Sequence, residues 1–93
     1  MPKYFRGVVI PNYIRNKSQL MRWVFETFQG EKISNWDLAT KLHTLRYGGY
    51  IHNLRQEGYD IETIRTKGKD GLFYYRCNSV PELSQEFMEE LNT

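Results

Sequence analysis

Four residues at helical spacing have the chemistry to meet the edges of DNA bases. They are Arg46, Gly49, Tyr50 and Asn53. Arginine can bond to guanine and asparagine to adenine through two hydrogen bonds, in a major groove wide enough to admit a helix. A glycine removes the side chain and allows close approach. A solvent-exposed helix can show the same polar face, so the neighbouring elements decide between these interpretations.

A helix over residues 46–57 must position this face. Tyr47, Ile51 and Leu54 recur at i, i+4 and i+7, which predicts a stripe that holds the helix to a core. Gly58 can take the left-handed conformation that ends a helix. The candidate base contacts are Arg46, Gly49, Tyr50 and Asn53, together with Tyr47.

Two earlier helices are predicted from their start signals. Asn16 and Ser34 are each followed three residues later by a residue that fits or approximates a capping box. The first helix should cover about residues 17–29. The second should make about two turns and end near His43, and Leu45 should close the following turn against it.

After the third helix the hydrophobic period changes from 3.6 to 2, which predicts two strands joined by a glycine-rich turn. Lysines at the tip of such a hairpin suit phosphate contacts, although a turn can also carry lysines for solubility alone. The candidate contacts to the DNA backbone are Lys41, His43, Thr44, Arg55, Arg65, Lys67 and Lys69.

The two ends of the chain flank this core. Residues 1–16 include a stretch, Tyr4 to Ile10, that has strand-like composition and could equally be an extended arm. Residues 78–93 predict an acidic last helix, whose apolar side can pack on the same chain or form a homodimer. That apolar side consists of Leu83, Phe87, Met88 and Leu91.

Length and charge agree with one α+β domain over residues 1–93, with its core at 17–77. Residues 1–76 hold all 13 Lys and Arg against 7 acidic residues, whereas residues 77–93 hold four Glu and no base. A basic body suits a polyanionic partner, and an ordinary domain with an acidic last helix is the alternative.

Other classes of function have little support. No apolar run approaches the roughly 20 residues of a membrane-spanning helix, so we expect a cytoplasmic protein that lies on the nucleoid when bound to DNA. One cysteine, Cys77, and two histidines predict no metal site and no cofactor, and Cys77 should be a small buried side chain. No nucleophile–base spacing predicts an enzyme or a small-molecule substrate. Trp23 and Trp36 should pack at the edge of the core.

Three helices followed by a two-stranded hairpin is the winged-helix order. Residues 51–61, Ile-His-Asn-Leu-Arg-Gln-Glu-Gly-Tyr-Asp-Ile, resemble a helix pattern of arginine-isoleucine-histidine-x-leucine-arginine that ends at glycine and enters a strand. This pattern is typical of small winged helix-turn-helix domains of phages, prophages and mobile elements, and Tyr50 stands where it has arginine. The resemblance implies a regulator of transcription or replication that binds specific double-stranded DNA; a winged helix can also serve as a protein-interaction module.

Overall fold

The structure, a computed structural model, describes residues 2–66 and 71–81. Its described part is α+β, with three helices and antiparallel strands. The elements are β1 (Tyr4–Phe5), β2 (Val8–Val9), α1 (Lys17–Thr27), β3 (Lys32–Ser34), α2 (Asn35–Thr40), α3 (Tyr47–Gln56), β4 (Asp60–Arg65) and β5 (Phe73–Ser79). The predicted tip lysines, Lys67 and Lys69, and the predicted last helix beyond Pro81 lie outside the described residues.

Helix α1 begins where its start signal predicts. The Asn16 side chain accepts a hydrogen bond from the backbone N–H of Gln19 at 2.9 Å. The Gln19 side chain in turn accepts from the N–H of Arg15 at 2.6 Å, one residue before the amide that a capping box would use. The bond to Gln19 satisfies a donor in the first turn of the helix, which would otherwise have no partner within it.

The core lies between the helices and the inner face of the larger sheet. It takes residues from every helix and from all three strands of that sheet, and each fully buried aliphatic or aromatic side chain contributes about 1.5 to 3 kcal/mol. Its most buried members are Leu20, Met21, Val24, Phe25, Ile33, Leu38, Leu42, Ile51 and Cys77. The predicted burial of Cys77, and of Ile51 and Leu54 in α3, is confirmed.

The larger sheet has three strands instead of the predicted two, in the order β3-β5-β4. Strand β3 spans Lys32–Ser34 and pairs antiparallel with the middle of β5, where Ile33 lies opposite Tyr75. Three residues show too little alternation for a strand to be detected from the sequence. On the other side of β5, Ile61 of β4 lies opposite Cys77, and both point into the core.

The N-terminal segment is neither one strand nor an extended arm. It forms a short hairpin of β1 and β2, in which Arg6 and Gly7 take positive φ angles of 52° and 79° at the turn. Two residues with positive φ match a tight hairpin turn whose twist suits the flanking strands. Phe5 is buried and meets Phe28 edge-on, with 5.5 Å between ring centroids, so the hairpin is held against the end of α1.

The turn between α2 and α3 also differs from the prediction. Helix α2 ends at Thr40, before His43, and Leu45 is 81% exposed instead of closing the turn. Thr44 takes the inward position, because its N–H donates to the carbonyl of Leu38 at 2.9 Å. The turn therefore points Leu45 away from the core.

The two tryptophans have different environments. Trp23 is partly buried and meets Phe28 edge-on at 5.9 Å, so its predicted packing at the edge of the core is confirmed. Trp36, on α2, is 51% exposed, and the prediction of packing is wrong for it. An exposed indole adds apolar surface close to the start of α2.

Candidate nucleic-acid interface

The start of α3 forms an open groove. Its volume is about 620 Å³, and its walls are Arg46, Gly48, Gly49, Tyr50 and Asn53. A methyl group added at either glycine would meet no atom within 4 Å, so the glycines leave open space instead of fitting against α2. The structure thus brings together four of the five predicted base contacts, along with Gly48.

The polar side chains of this groove are available for a partner. Within the described residues, neither Arg46 nor Asn53 makes a side-chain hydrogen bond or an ion pair. Two other arginines are neutralised by contrast: Arg22 pairs with Glu57 at 2.6 Å, and Arg76 pairs with Glu62 at the same distance. Within residues 2–66 and 71–81, the groove therefore combines a positive charge and an amide that have no partner.

Tyr47, the fifth predicted base contact, packs inward. Its ring lies 6.2 Å from that of Phe73 and 6.1 Å from that of Tyr75, and its hydroxyl accepts a hydrogen bond from the Asn35 side chain at 3.3 Å. Tyr47 therefore lies on the side of α3 that packs against the core, as the periodicity of Tyr47, Ile51 and Leu54 predicted. We therefore remove Tyr47 from the candidate base contacts.

Two of the predicted backbone contacts are also engaged within the fold. Thr44 is 2% exposed, and its hydroxyl donates to the carbonyl of Leu42 at 3.0 Å, so its side chain is not accessible to a phosphate. Arg55 donates to the carbonyl of Ile61 at 2.7 and 2.9 Å and to the Thr63 hydroxyl at 3.1 Å. Arg55 thus ties α3 to β4.

The remaining predicted backbone contacts lie on the surface. Lys41 is exposed, with Asp37 at 3.8 Å, and the exposed His43 has a φ of 52° in the turn before α3. The Arg65 guanidinium lies 5.5 Å from the centre of the Phe73 ring on the adjacent strand. All three side chains are exposed, and their contact with a backbone phosphate stays a prediction.

Asn35 joins these elements, and no sequence pattern pointed to it. This residue is 5% exposed; its side-chain N–H donates to the Gly71 carbonyl at 2.7 Å and its side-chain oxygen accepts from the Phe73 N–H at 3.0 Å. With its bond to Tyr47, Asn35 connects the start of α2 to α3 and to β5. A polar residue just inside a helix start is usually exposed, so only its contacts to distant residues reveal the role.

Catalytic or metal chemistry finds little support in the described part of the chain. Burial raises the pKa of the Cys77 thiol, and its sulfur contacts the Ser79 carbonyl at 3.3 Å, so it lacks the character of a reactive thiolate. In residues 2–66 and 71–81, no group of three His, Cys, Asp or Glu residues could hold a metal ion. No helix in these ranges is long and apolar enough to cross a bilayer.

Comparison with known protein families identifies the class to which this fold belongs. The family described as a winged helix-turn-helix domain matches residues 18–71, which run from the first turn of α1 through α3 and β4. The chain belongs to the winged helix-turn-helix family. Comparisons with curated proteins and with solved structures gave no significant match. Helix-turn-helix domains are typically DNA-binding modules without enzymatic activity, so membership suggests DNA binding.

Proposed function

We propose that this domain binds specific double-stranded DNA by placing α3 in the major groove, as a regulator of transcription or replication in a phage or mobile element. The observation that carries the proposal is the open groove at the start of α3, where the Arg46 and Asn53 side chains make no hydrogen bond or ion pair with the described residues. The sequence resemblance is the support for a mobile-element setting.

The spacing of the two polar residues fits base recognition. Arg46 and Asn53 are seven positions apart on one helix face, which corresponds to about 10 Å along the helix axis. Successive base pairs are about 3.4 Å apart, so the two side chains would meet bases about three pairs apart. We propose that Arg46 bonds to a guanine and Asn53 to an adenine.

The neighbouring surface supports this orientation. Gly48 and Gly49 leave the helix backbone open, so that DNA can approach the helix closely. Lys41, His43 and Arg65 are accessible on the flanks, where contacts to phosphates would fix the register of the helix without reading sequence.

The test is binding to duplexes selected from a random pool, measured by fluorescence anisotropy. Arg46→Ala and Asn53→Ala should each weaken binding about 10- to 100-fold and relax the preference at one base pair, because each removes a two-bond contact. Arg6→Ala is the charge-matched control for Arg46→Ala. Arg6 lies in the turn of the N-terminal hairpin, where it contacts Glu31, so its loss should leave base preference unchanged.

Salt dependence separates DNA binding from an artefact of selection. About five phosphate contacts imply a slope of roughly −4 to −5 when the logarithm of affinity is plotted against that of salt concentration. Binding that is absent from the whole pool, or that is insensitive to salt, would contradict the proposal.

A second candidate function is a protein-interaction module, and the N-terminal hairpin favours it. Tyr4 and Val9 are each 63% exposed, and Tyr13, just beyond the hairpin, is 66% exposed. Exposed apolar side chains in one region suit a protein partner. If Val9→Ser impaired function in cells while Arg46→Ala and Asn53→Ala had no effect, the second candidate would replace the first.

A further inference from the structure

The N-terminal hairpin turns one of its two faces toward solvent. Tyr4 lies directly opposite Val9 in this hairpin, and each is 63% exposed. The other pair, Phe5 and Val8, lies on the opposite face, because successive side chains of a strand alternate. Phe5 is buried and attaches the hairpin to α1 through Phe28. Packing against the core therefore accounts for one face of the hairpin and leaves the Tyr4–Val9 face exposed.

A cavity of about 430 Å³ opens beside this face. Its apolar walls come from Tyr4, Val9, Ile10, Pro11 and Ile14. The Ile10 N–H donates to the Lys3 carbonyl at 2.8 Å, which extends the pairing of the hairpin along the wall. Ile10 and Ile14 are also members of the core, so this part of the wall belongs to the fold itself. The volume of the cavity lies within the range of natural binding pockets.

Exposed large apolar side chains are concentrated in this part of the molecule. Of the six in the described residues, four lie between positions 4 and 13, namely Tyr4, Val8, Val9 and Tyr13. Single exposed apolar residues are ordinary on a protein surface, whereas a group of them marks a site of contact. The group precedes residues 18–71, which match the winged helix-turn-helix family, so family membership does not account for it.

The charge around the cavity is positive. Residues 2–25 contain five Lys or Arg residues and no Asp or Glu. Lys3 lines the cavity, and Arg15 directly follows Ile14 of its wall. Within the described residues, neither of these two side chains makes a hydrogen bond or an ion pair, whereas Arg6 contacts Glu31. An occupant that brings negative charge beside Lys3 would therefore complement this surface.

The charge and the apolar walls together decide between kinds of occupant. A second hairpin of the same chain would bring its own Lys3 and Arg15, and like charges that face each other oppose association. A nucleic-acid backbone has the right charge but offers no apolar side chain to cover Tyr4 and Val9. A protein segment with acidic and apolar residues side by side matches both properties of the surface.

We propose that the cavity beside the Tyr4–Val9 face binds a segment of another protein in which acidic residues stand next to apolar ones. An apolar side chain of this segment fills the cavity against Val9 and Ile14, and a carboxylate pairs with Lys3. The cavity shares no lining residue with the groove of α3, so the inference goes beyond DNA binding. A domain that holds DNA through α3 would hold a second protein through its hairpin.

A library of short random peptides displayed on phage is the probe, because it tests the chemistry of the partner directly. Peptides are selected on the full-length chain, after those that also bind a Tyr4→Ser, Val9→Ser double variant have been removed. The enriched peptides should carry Asp or Glu beside an aromatic or aliphatic residue. Selection of this pattern on the unchanged protein, and not on the double variant, is the expected result.

Single substitutions measure each apolar contact. By fluorescence anisotropy, Val9→Ser should weaken an enriched peptide about tenfold and Tyr4→Ser about 10- to 100-fold, because each loses buried apolar area at the contact. Leu45→Ser is the matched control: it also removes an exposed aliphatic side chain, outside the cavity, and should bind the peptide like the unchanged protein. Denaturation curves should confirm that the fold is kept.

Charge reversal tests the ionic contact without changing the apolar walls. Lys3→Glu should weaken the peptide about fivefold at low salt and less at high salt, since exposed ion pairs are modest and screened. Replacing one acidic residue of the peptide by lysine should restore binding to Lys3→Glu. If no acidic position of the peptide gives this restoration, the pairing with Lys3 is wrong.

The remaining outcomes separate this inference from the proposed function. If no peptide is enriched, or if the enriched peptides carry no acidic residue, the proposed partner is wrong. If Tyr4→Ser and Val9→Ser weaken DNA binding instead, the hairpin belongs to the DNA interface and the protein site is wrong. Dimers of the full-length chain that Val9→Ser dissociates would assign the cavity to a second copy and overturn the proposal. Failure of α3 to bind DNA, with peptide binding intact, would contradict only the proposed function.

Discussion

Helices α2 and α3 begin in opposite ways. At the start of α2, the Ser34 hydroxyl accepts from the N–H of Asp37 at 3.0 Å, and the buried Asn35 bonds to three distant residues. Helix α3 has no side-chain cap, and its first turn contains Gly48 and Gly49 with open space beside them. The start of α2 is held by hydrogen bonds within the protein, whereas the start of α3 is open to solvent or to a partner.

This difference has an energetic consequence. A missing cap costs about 1 kcal/mol, and a glycine within a helix costs up to about 1 kcal/mol relative to alanine. The start of α3 is therefore intrinsically less stable than a capped start without glycines would be. The side chains of Tyr47, Ile51 and Leu54 hold the helix against the core. A helix start of this kind suits contact with a partner better than it suits the stability of the fold.

The largest effect is expected from Asn35→Ala. The substitution removes three hydrogen bonds and leaves the Phe73 N–H and the Gly71 carbonyl without their partner. Unpaired buried polar groups cost about 1 to 3 kcal/mol each, so the free energy of unfolding should fall by about 2 to 4 kcal/mol. Urea denaturation followed by circular dichroism measures this loss.

Asn53→Ala is the matched control, since it makes the same change on an exposed face of α3. Its free energy of unfolding should change by less than about 0.5 kcal/mol. Equal destabilisation by the two substitutions would remove the distinction between a fixed α2 and an open α3.

A smaller effect, with opposite signs for stability and binding, is expected at the glycines of α3. Gly48→Ala and Gly49→Ala should each raise the free energy of unfolding by about 0.5 to 1 kcal/mol, because the added methyl group meets open space and alanine favours helix. Affinity for DNA should nevertheless fall if the duplex approaches this backbone. Denaturation and anisotropy on the same samples measure both quantities.

Gly58→Ala controls for a general effect of glycine replacement. Gly58 has a φ of 103°, which strains any other residue, so this variant should be destabilised. If Gly48→Ala and Gly49→Ala bound DNA as well as the unchanged protein does, close approach of DNA to the start of α3 would be wrong.

Local signals made part of this molecule predictable. The start of α1 at Asn16 and that of α2 at Ser34 follow from caps that act within three residues. The inward stripe and the open face of α3 follow from helical periodicity, which needs only neighbouring residues. The resemblance of residues 51–61 predicted the winged helix-turn-helix family, and the family match over residues 18–71 confirms it.

The remaining features depend on contacts between distant parts of the chain. Strand β3 exists because Lys32–Ser34 pairs with β5 about forty residues later, and Asn35 is buried because its partners are equally remote. Thr44 is buried and Leu45 is exposed in a turn that contains the positive φ of His43, a conformation that no periodicity encodes.

The smallest expected effect is at His43, which lies between the two contrasting helices. Its φ of 52° is a conformation that costs a non-glycine residue about 1 kcal/mol, and glycine would relieve this cost while adding entropy to the unfolded chain. His43→Gly should therefore raise the free energy of unfolding by only about 0.5 kcal/mol. His52→Gly, within α3, should instead lower it, since glycine disfavours helix. If His43 also contacts a phosphate, His43→Gly will weaken DNA binding while stabilising the fold, and unchanged binding would remove His43 from the interface.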